Sequence, residues 1–215
     1  MTQRDYEIIQ TVDTLRLMSA TQIERLFYSS QQAQSYRCKK LVDHKKLKRF
    51  RKDNWSPYLY YLGKKPKQVQ SILAISEFYT RCITSNLNVT YIEREKRLVL
   101  EEGKFTLIPD ATITIEKDGV EYEFFIEVDN TKELTTAKYY RAFKEYGFLP
   151  PPIISISNRR RRDIFKELEV IKLKFTLEDV DKVISSSCFI SFASETLQIL
   201  ISSKYIVPLV PVMKK

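Results

Sequence analysis

The chain has 215 residues, 43% of them hydrophobic, and a formal net charge of +9. That apolar share suits one large or two small buried cores and argues against disorder. Gly (4) and Pro (8) are sparse, no stretch approaches the ~20 apolar residues of a membrane span, and Met1-Thr2-Gln3-Arg4-Asp5 is unlike a signal peptide. These features predict a cytoplasmic protein with no membrane partner. Cys38, Cys82 and Cys188 are odd in number and far apart, as buried thiols in a reducing compartment would be.

The charge is unevenly placed. Residues 1–85 hold 16 Lys and Arg against 7 Asp and Glu, whereas residues 86–215 hold 20 of each, so the whole excess lies in the first part. Nine basic side chains and one acid, Asp43, fall within residues 37–52. Such density on a short segment is the electrostatic footprint of a polyanion partner.

In chain order, Tyr6, Ile9, Val12 and Leu15 recur at helical spacing and predict a first helix over residues 4–15. Ser19 followed by Gln22 reads as a capping box opening a short helix, Ala20 to Phe27. A third helix, capped by Ser29 or Ser30 and running from Gln31 to about His44, turns Gln34, Cys38, Leu41 and Val42 to one face. Its opposite face carries Gln32, Tyr36, Lys39 and Lys40, with Ser35 at the margin. Strand-like runs at 47–51 and 58–62 follow, joined by the turn-rich 52–57.

Helix, short helix, helix, hairpin is the order of a winged helix-turn-helix, expected over residues 1–66. The third helix would enter the major groove of double-stranded DNA with Gln32, Ser35, Tyr36, Lys39 and Lys40, while Arg49, Arg51 and Lys52 of the hairpin would hold phosphates. The competing reading is a solvated basic helix, or a winged helix used for protein contacts. Lys64-Lys65-Pro66-Lys67 reads as a charged linker leading into a connecting helix within 67–85, with Val69, Ile72, Ile75 and Phe78 or Tyr79 inward. A second domain, 86–215, is expected to alternate α and β, giving an α+β chain overall.

Residues 105–129 hold the sharpest pattern. Phe105 to Glu116 alternates apolar and polar positions, and Asp118-Gly119 is a two-residue hairpin signal. With that pair as the loop, Ile115 faces Tyr122, Ile113 faces Phe124 and Ala111 faces Ile126, so the apolar faces match. The same register sets Asp110 against Glu127 and puts Asp129 beside them. Like charges directly opposite on a sheet need compensation. A divalent cation would supply it, making Asp110, Glu127 and Asp129 candidate metal ligands. Lys138 or Arg141 from the next helix would neutralise the pair equally well, and water at an exposed hairpin end is a third answer.

These residues resemble the PD-(D/E)xK nuclease superfamily: Pro109-Asp110, then Glu127-Val128-Asp129 on the next strand, then a helix. More narrowly, the winged-helix order followed by Ile108-Pro109-Asp110-Ala111-Thr112-Ile113, Phe125-Ile126-Glu127-Val128-Asp129-Asn130-Thr131 and the helical run from Lys138 to Tyr146 is similar to the replication-relaxation family of plasmids and other mobile elements. The likeness spans roughly residues 5–160. It implies DNA binding during replication or transfer of a bacterial mobile element, with a nuclease-like second domain. Asp110 and Glu127 would match the nuclease acids, but Asp129 stands where the catalytic Lys belongs. Lys138 could take that role if its helix packs over the acids, and Glu93 or Glu95 could add a third ligand.

Other chemistries are poorly served. His44 is the sole histidine, which removes histidine-cluster metal sites and Ser-His or Cys-His catalysis, and four glycines form no phosphate loop. Tyr139, Tyr140 and Tyr146 could include a strand-transfer nucleophile, though core packing explains them better. Arg159-Arg160-Arg161-Arg162 would contact DNA or solvent, a helix is expected over about 177–184, and the apolar tail from Tyr205 to Met213 would cover a sheet edge or a partner. Three functions compete: a DNA-binding replication or transfer protein, a nuclease or nickase using Asp110 and Glu127, and a dimeric repressor. The expected partners are double-stranded DNA, a second copy of the chain, and replication or transfer proteins. Mg²⁺ or Mn²⁺ is the only cofactor these residues suggest.

Overall fold

The computed structural model describes residues 1–129, 137–157, 168 and 170–173. The sequence readings at Asn130-Thr131, Cys188, 159–162, 177–184 and 205–213 lie outside the described residues. The described part is mixed α+β, and no described helix is long and apolar enough to cross a membrane.

Three helices open the chain: α1 (Gln3–Leu15), α2 (Ala20–Phe27) and α3 (Gln31–Asp43). Each begins on a hydroxyl cap, at Thr2, Ser19 and Ser30, and the expected Ser19/Gln22 capping box is closed in both directions. A two-residue strand, β1 (Met18–Ser19), pairs antiparallel with β3 (Leu59–Tyr61), whose other edge carries β2 (Lys48–Phe50). Ile8, Val12, Leu15, Ile23, Cys38, Leu41, Leu47 and Tyr60 form the core of this part. Tyr6, expected inward, is exposed, and its neighbour Asp5 is fully buried instead. The reason is an ion pair: Asp5 takes the guanidinium of Arg37, lashing α1 to α3. That guanidinium holds the Asp5 carboxyl well below the usual carboxylate range.

The helix α4 (Val69–Thr84) starts and ends within two residues of expectation. Ile72 packs with Leu17 and Leu59 of the first part, while Ala74, Ile75, Phe78 and Cys82 pack on the second. One helix therefore serves two cores.

Beyond it lie β4 (Asn88–Arg94), β5 (Leu98–Leu100), β6 (Phe105–Leu107), β7 (Ala111–Lys117), β8 (Val120–Val128), α5 (Ala137–Tyr146), β9 (Ile153–Ile156) and β10 (Val170–Leu173). Five of the strands make a sheet ordered β10-β9-β8-β7-β4. β4, β7 and β8 are an antiparallel meander, and β9 and β10 run parallel beyond β8. Ala111, Ile113, Ile115, Phe124, Ile126 and Val128 bury one face under α4. Phe125 and Ile153, of opposite parity, bury the other face with Tyr139 of α5 and Leu107.

The register of β7 and β8 is the expected one, with Ile115 opposite Tyr122, Ile113 opposite Phe124 and Ala111 opposite Ile126. Asp118 and Gly119 both have positive φ, at 54° and 77°, as a tight two-residue hairpin turn requires. The single strand expected from Phe105 to Glu116 is instead two. Pro109 has no N–H for a ladder, so pairing stops there, and Phe105–Leu107 forms a separate ribbon with Leu98–Leu100.

The two-sided role of α4 makes Phe78 a strong test. Phe78→Ala should lower unfolding stability by about 3–5 kcal/mol, as a buried aromatic truncation does. Tyr6→Ala, at an exposed position, should change it by less than about 0.5 kcal/mol. Urea midpoints of the two variants check both statements.

Candidate nucleic-acid surface and acidic site

The inner face of α3 is anchored by Gln34, Cys38 and Leu41, all buried. Its opposite face is thereby presented outward, and Gln32, Ser35, Tyr36, Lys39 and Lys40 are all exposed. The Lys40 ammonium stands 4.5 Å from the centre of the Tyr36 ring and lowers that phenol's proton affinity. Arg37, counted with this basic group by sequence, turns toward Asp5. Burial pushes the Cys38 thiol up to about 11, which suits packing rather than reactivity.

The chain leaves α3 through Lys45, in the left-handed region at φ 57°, while the N–H groups of Lys46 and Leu47 donate to the carbonyl of Leu41. It therefore enters β2 within one turn. Arg49 and Arg51 lie 4.1 and 3.9 Å from the Tyr58 ring centre, and the exposed Lys52 follows. Lys48 donates to the Gly63 carbonyl at 2.7 Å, and Lys65 lies 4.1 Å from the centre of the Phe50 ring. The hairpin connection also exposes Trp55, at 97% of its surface. Sequence reading placed Trp55 in a turn and gave it no part, although a lone Trp among Lys, Asp, Asn and Ser was the available signal.

The second cluster lies on the α5 side of the large sheet. Asp110 directly precedes β7, and its carboxylate accepts the Val128 N–H at 2.8 Å. Glu127, one register step beyond the Ala111–Ile126 pair, is 1% exposed. Its Oε1 accepts the Tyr139 hydroxyl and pairs with the Lys138 ammonium at 2.7 Å. Lys138 also donates to the Ile108 carbonyl at 2.6 Å, so α5 is pinned across the mouth of the hairpin. Burial pushes the Glu127 carboxyl up to about 7; Lys138 opposes that shift, and the charge of Asp110 adds to it.

The structure therefore brings Asp110, Glu127 and Lys138 together. Of the two cations weighed as the neutralising charge, it is Lys138, because Arg141 pairs with Glu145. Asp129 is buried next along the chain, its N–H on the Ile156 carbonyl and its own carbonyl accepting Ser157 Oγ. Glu93 and Glu95 do not join: Glu93 accepts the Tyr91 hydroxyl, and Glu95 pairs with Arg16 at 2.5 Å. Among the described residues, no three His, Cys, Asp or Glu side chains are grouped to hold a metal ion. Lys138 and Tyr139 both sit on Glu127 Oε1, and Asp110 Oδ2 takes the Val128 N–H. Tyr139 is fully buried with its hydroxyl on Glu127, and that burial pushes its proton affinity far up. It is held as a donor and is not poised as a nucleophile. Tyr146 stacks on Phe105 with ring centres 5.1 Å apart.

Arg94 of β4 shares this end of the sheet. It is buried, donates Nε to the Asp110 carbonyl at 2.9 Å, and leaves Nη1 without a hydrogen-bond partner. Comparison of the chain with protein-family models, curated proteins and solved structures finds no match in any of the three.

Glu127 generates a pH prediction. Its carboxyl keeps a proton up to about pH 7 when folded but releases it near its ordinary value of 4.5 when unfolded. The folded state then binds more protons between those values, so stability falls as pH rises through the window, by up to about 3 kcal/mol. Glu127→Gln should flatten this part of the profile. Urea unfolding at a series of pH values from 4.5 to 7.5 measures it, and parallel profiles for the two proteins would contradict the raised proton affinity.

Proposed function

We propose that this chain binds double-stranded DNA through the outward face of α3 and the β2–β3 hairpin, in the replication or transfer of a bacterial plasmid or other mobile element. The observation that carries the reading is the α3 face itself. Gln32, Ser35, Tyr36, Lys39 and Lys40 are all exposed on a helix whose other side is locked into a core. Hydrogen-bonding and cationic groups on one rigid helix are what groove recognition uses, and the arginines of the following hairpin suit phosphates.

The order α1, α2, α3, β2, β3 supports a winged helix-turn-helix. The order α4, β4, β7, β8, α5, β9, with β9 parallel to β8, supports a PD-(D/E)xK-type core for the second part. Together with the sequence likeness, these orders favour the replication-relaxation family. Lys138 packs over the acid pair, the position from which it would stand in for a nuclease lysine, and this favours a metal-dependent endonuclease as the second reading, whereas Asp129 in that lysine's usual place favours a second part that supports contacts.

Changing Lys39 and Lys40 together to Ala should weaken binding to a mixed-sequence duplex and shallow the plot of log K against log[salt] by about 0.9 for each phosphate no longer neutralised. Gln32→Ala should change the slope less and relax sequence preference. An unaltered slope in the double variant would remove α3 from the interface. Supercoiled plasmid incubated with the protein and Mg²⁺ or Mn²⁺ should remain intact; nicking that disappears in Glu127→Gln would replace the binding reading with an endonuclease.

A further inference from the structure

We infer that Trp55 is a base-stacking side chain, carried on the β2–β3 connection to meet the face of a nucleobase at a locally unstacked step beside the site gripped by α3. The inference rests on the DNA-binding reading and adds a contact that neither charge nor the α3 face requires.

Trp55 is the only tryptophan of the chain and is 97% exposed; the next most exposed large hydrophobic residue among those described is Tyr36, at 62%. An indole is the largest apolar face a side chain offers, and folding ordinarily covers most of it. Here it is left in water on a loop that is itself well fixed. Asp53 Oδ1 accepts the N–H groups of Trp55 at 3.0 Å and Ser56 at 2.7 Å, and Oδ2 accepts the Ser56 hydroxyl at 2.8 Å. Arg51 closes the other side, donating to the Asn54 carbonyl at 3.0 Å and to the Tyr58 hydroxyl at 2.5 Å. Pro57 restricts the return to β3. The backbone on both sides of Trp55 is thus ordered before any partner arrives, which lowers the entropic cost of using the ring.

The surroundings state the partner's chemistry. Asp53 is the only acidic residue between positions 44 and 76, and both of its oxygens are turned into the loop. Lys48, Arg49, Arg51 and Lys52 flank the ring in sequence, so the partner is polyanionic. It must also present a flat apolar surface to match an indole. Nucleic acid joins those two properties, since each phosphate is followed by a planar base. Aromatic side chains stack on bases that are unpaired or unstacked, and apolar wedges open base steps from the groove side.

The single tryptophan gives a direct readout, because the indole emission of the full chain reports position 55 alone. A mixed-sequence duplex should quench it, the same duplex with a short unpaired bubble should quench it more, and both should saturate together with binding followed by the anisotropy of labelled DNA. Heparin, a polyanion without bases, should bind without that quenching. Trp55→Ala should weaken DNA binding about ten-fold, the equivalent of about 1.4 kcal/mol, within what one base–aromatic stack contributes. Its salt slope and thermal midpoint should not move, and Trp55→Phe should restore most of the affinity. Unchanged emission while anisotropy records binding, equal quenching by heparin, or undiminished binding by Trp55→Ala would each overturn the stacking role and leave DNA binding standing. Absence of any DNA binding by the native chain would overturn both readings.

Discussion

Burial of α4 on two sides is the constraint on which the rest of this structure depends. A helix of 16 residues offers one broad apolar stripe, and here that stripe is divided. Ile72 meets Leu17 and Leu59, whereas Ala74, Ile75, Phe78 and Cys82 meet the large sheet. Polar contacts reinforce the first attachment. The Ser76 hydroxyl donates to the Leu17 carbonyl at 2.6 Å, and Glu77 receives Arg25 from α2 at 2.6 Å. Since an α4 detached from either side would expose apolar surface, the helical part and the sheet hold a fixed relation through it, to which the Arg16–Glu95 pair adds a contact.

The acidic cluster follows from the same packing. With α4 filling one face of the sheet, α5 fills the other, and its first turn arrives over the end of the β7–β8 hairpin. Glu127 then loses water, a costly position for a carboxylate unless it is paired or neutral. Both remedies are present: Lys138 and Tyr139 converge on one oxygen, and burial raises the carboxyl's proton affinity above its ordinary value. Asp110 is satisfied differently, by the Val128 N–H that follows the last cross-strand pair. Two acids side by side are thereby accommodated by an internal cation, a phenol and a backbone donor.

What the sequence made legible was local or strictly periodic. The capping box at Ser19, the buried face of α3 and the Asp118-Gly119 turn each depend on a few neighbouring residues, and all are present as expected. The β7–β8 register was readable because a two-residue loop leaves one pairing that matches the apolar faces. Contacts across long separations were hidden. Asp5 and Arg37 lie 32 residues apart, and nothing near Asp5 distinguishes an acid that will be buried from one in a solvated first turn. The split at Pro109 was visible in the residue but outweighed by a continuous alternation. Trp55 was legible as a type and missed as a position, since only the folded loop separates an aromatic that turns inward from one held in water.

The same distinction decides which charges matter for binding. Net charge counts every Lys and Arg equally, yet the fold commits several of them to carboxylates: Arg37 to Asp5, Arg25 and Arg81 to Glu77, and Arg16 to Glu95. A guanidinium already held by a carboxylate has little to gain from a phosphate, because exchanging one anion for another costs the first interaction. Lys39 on α3 and Lys52 on the hairpin lie at exposed positions where a phosphate would add an interaction without removing one from the fold. Lys40, stacked on Tyr36, gives up only a solvent-exposed cation–π interaction. Among the described residues, then, the cationic surface is narrower than composition suggests, and it includes α3, the hairpin that directly follows it and the exposed Lys64, Lys65 and Lys67 beyond.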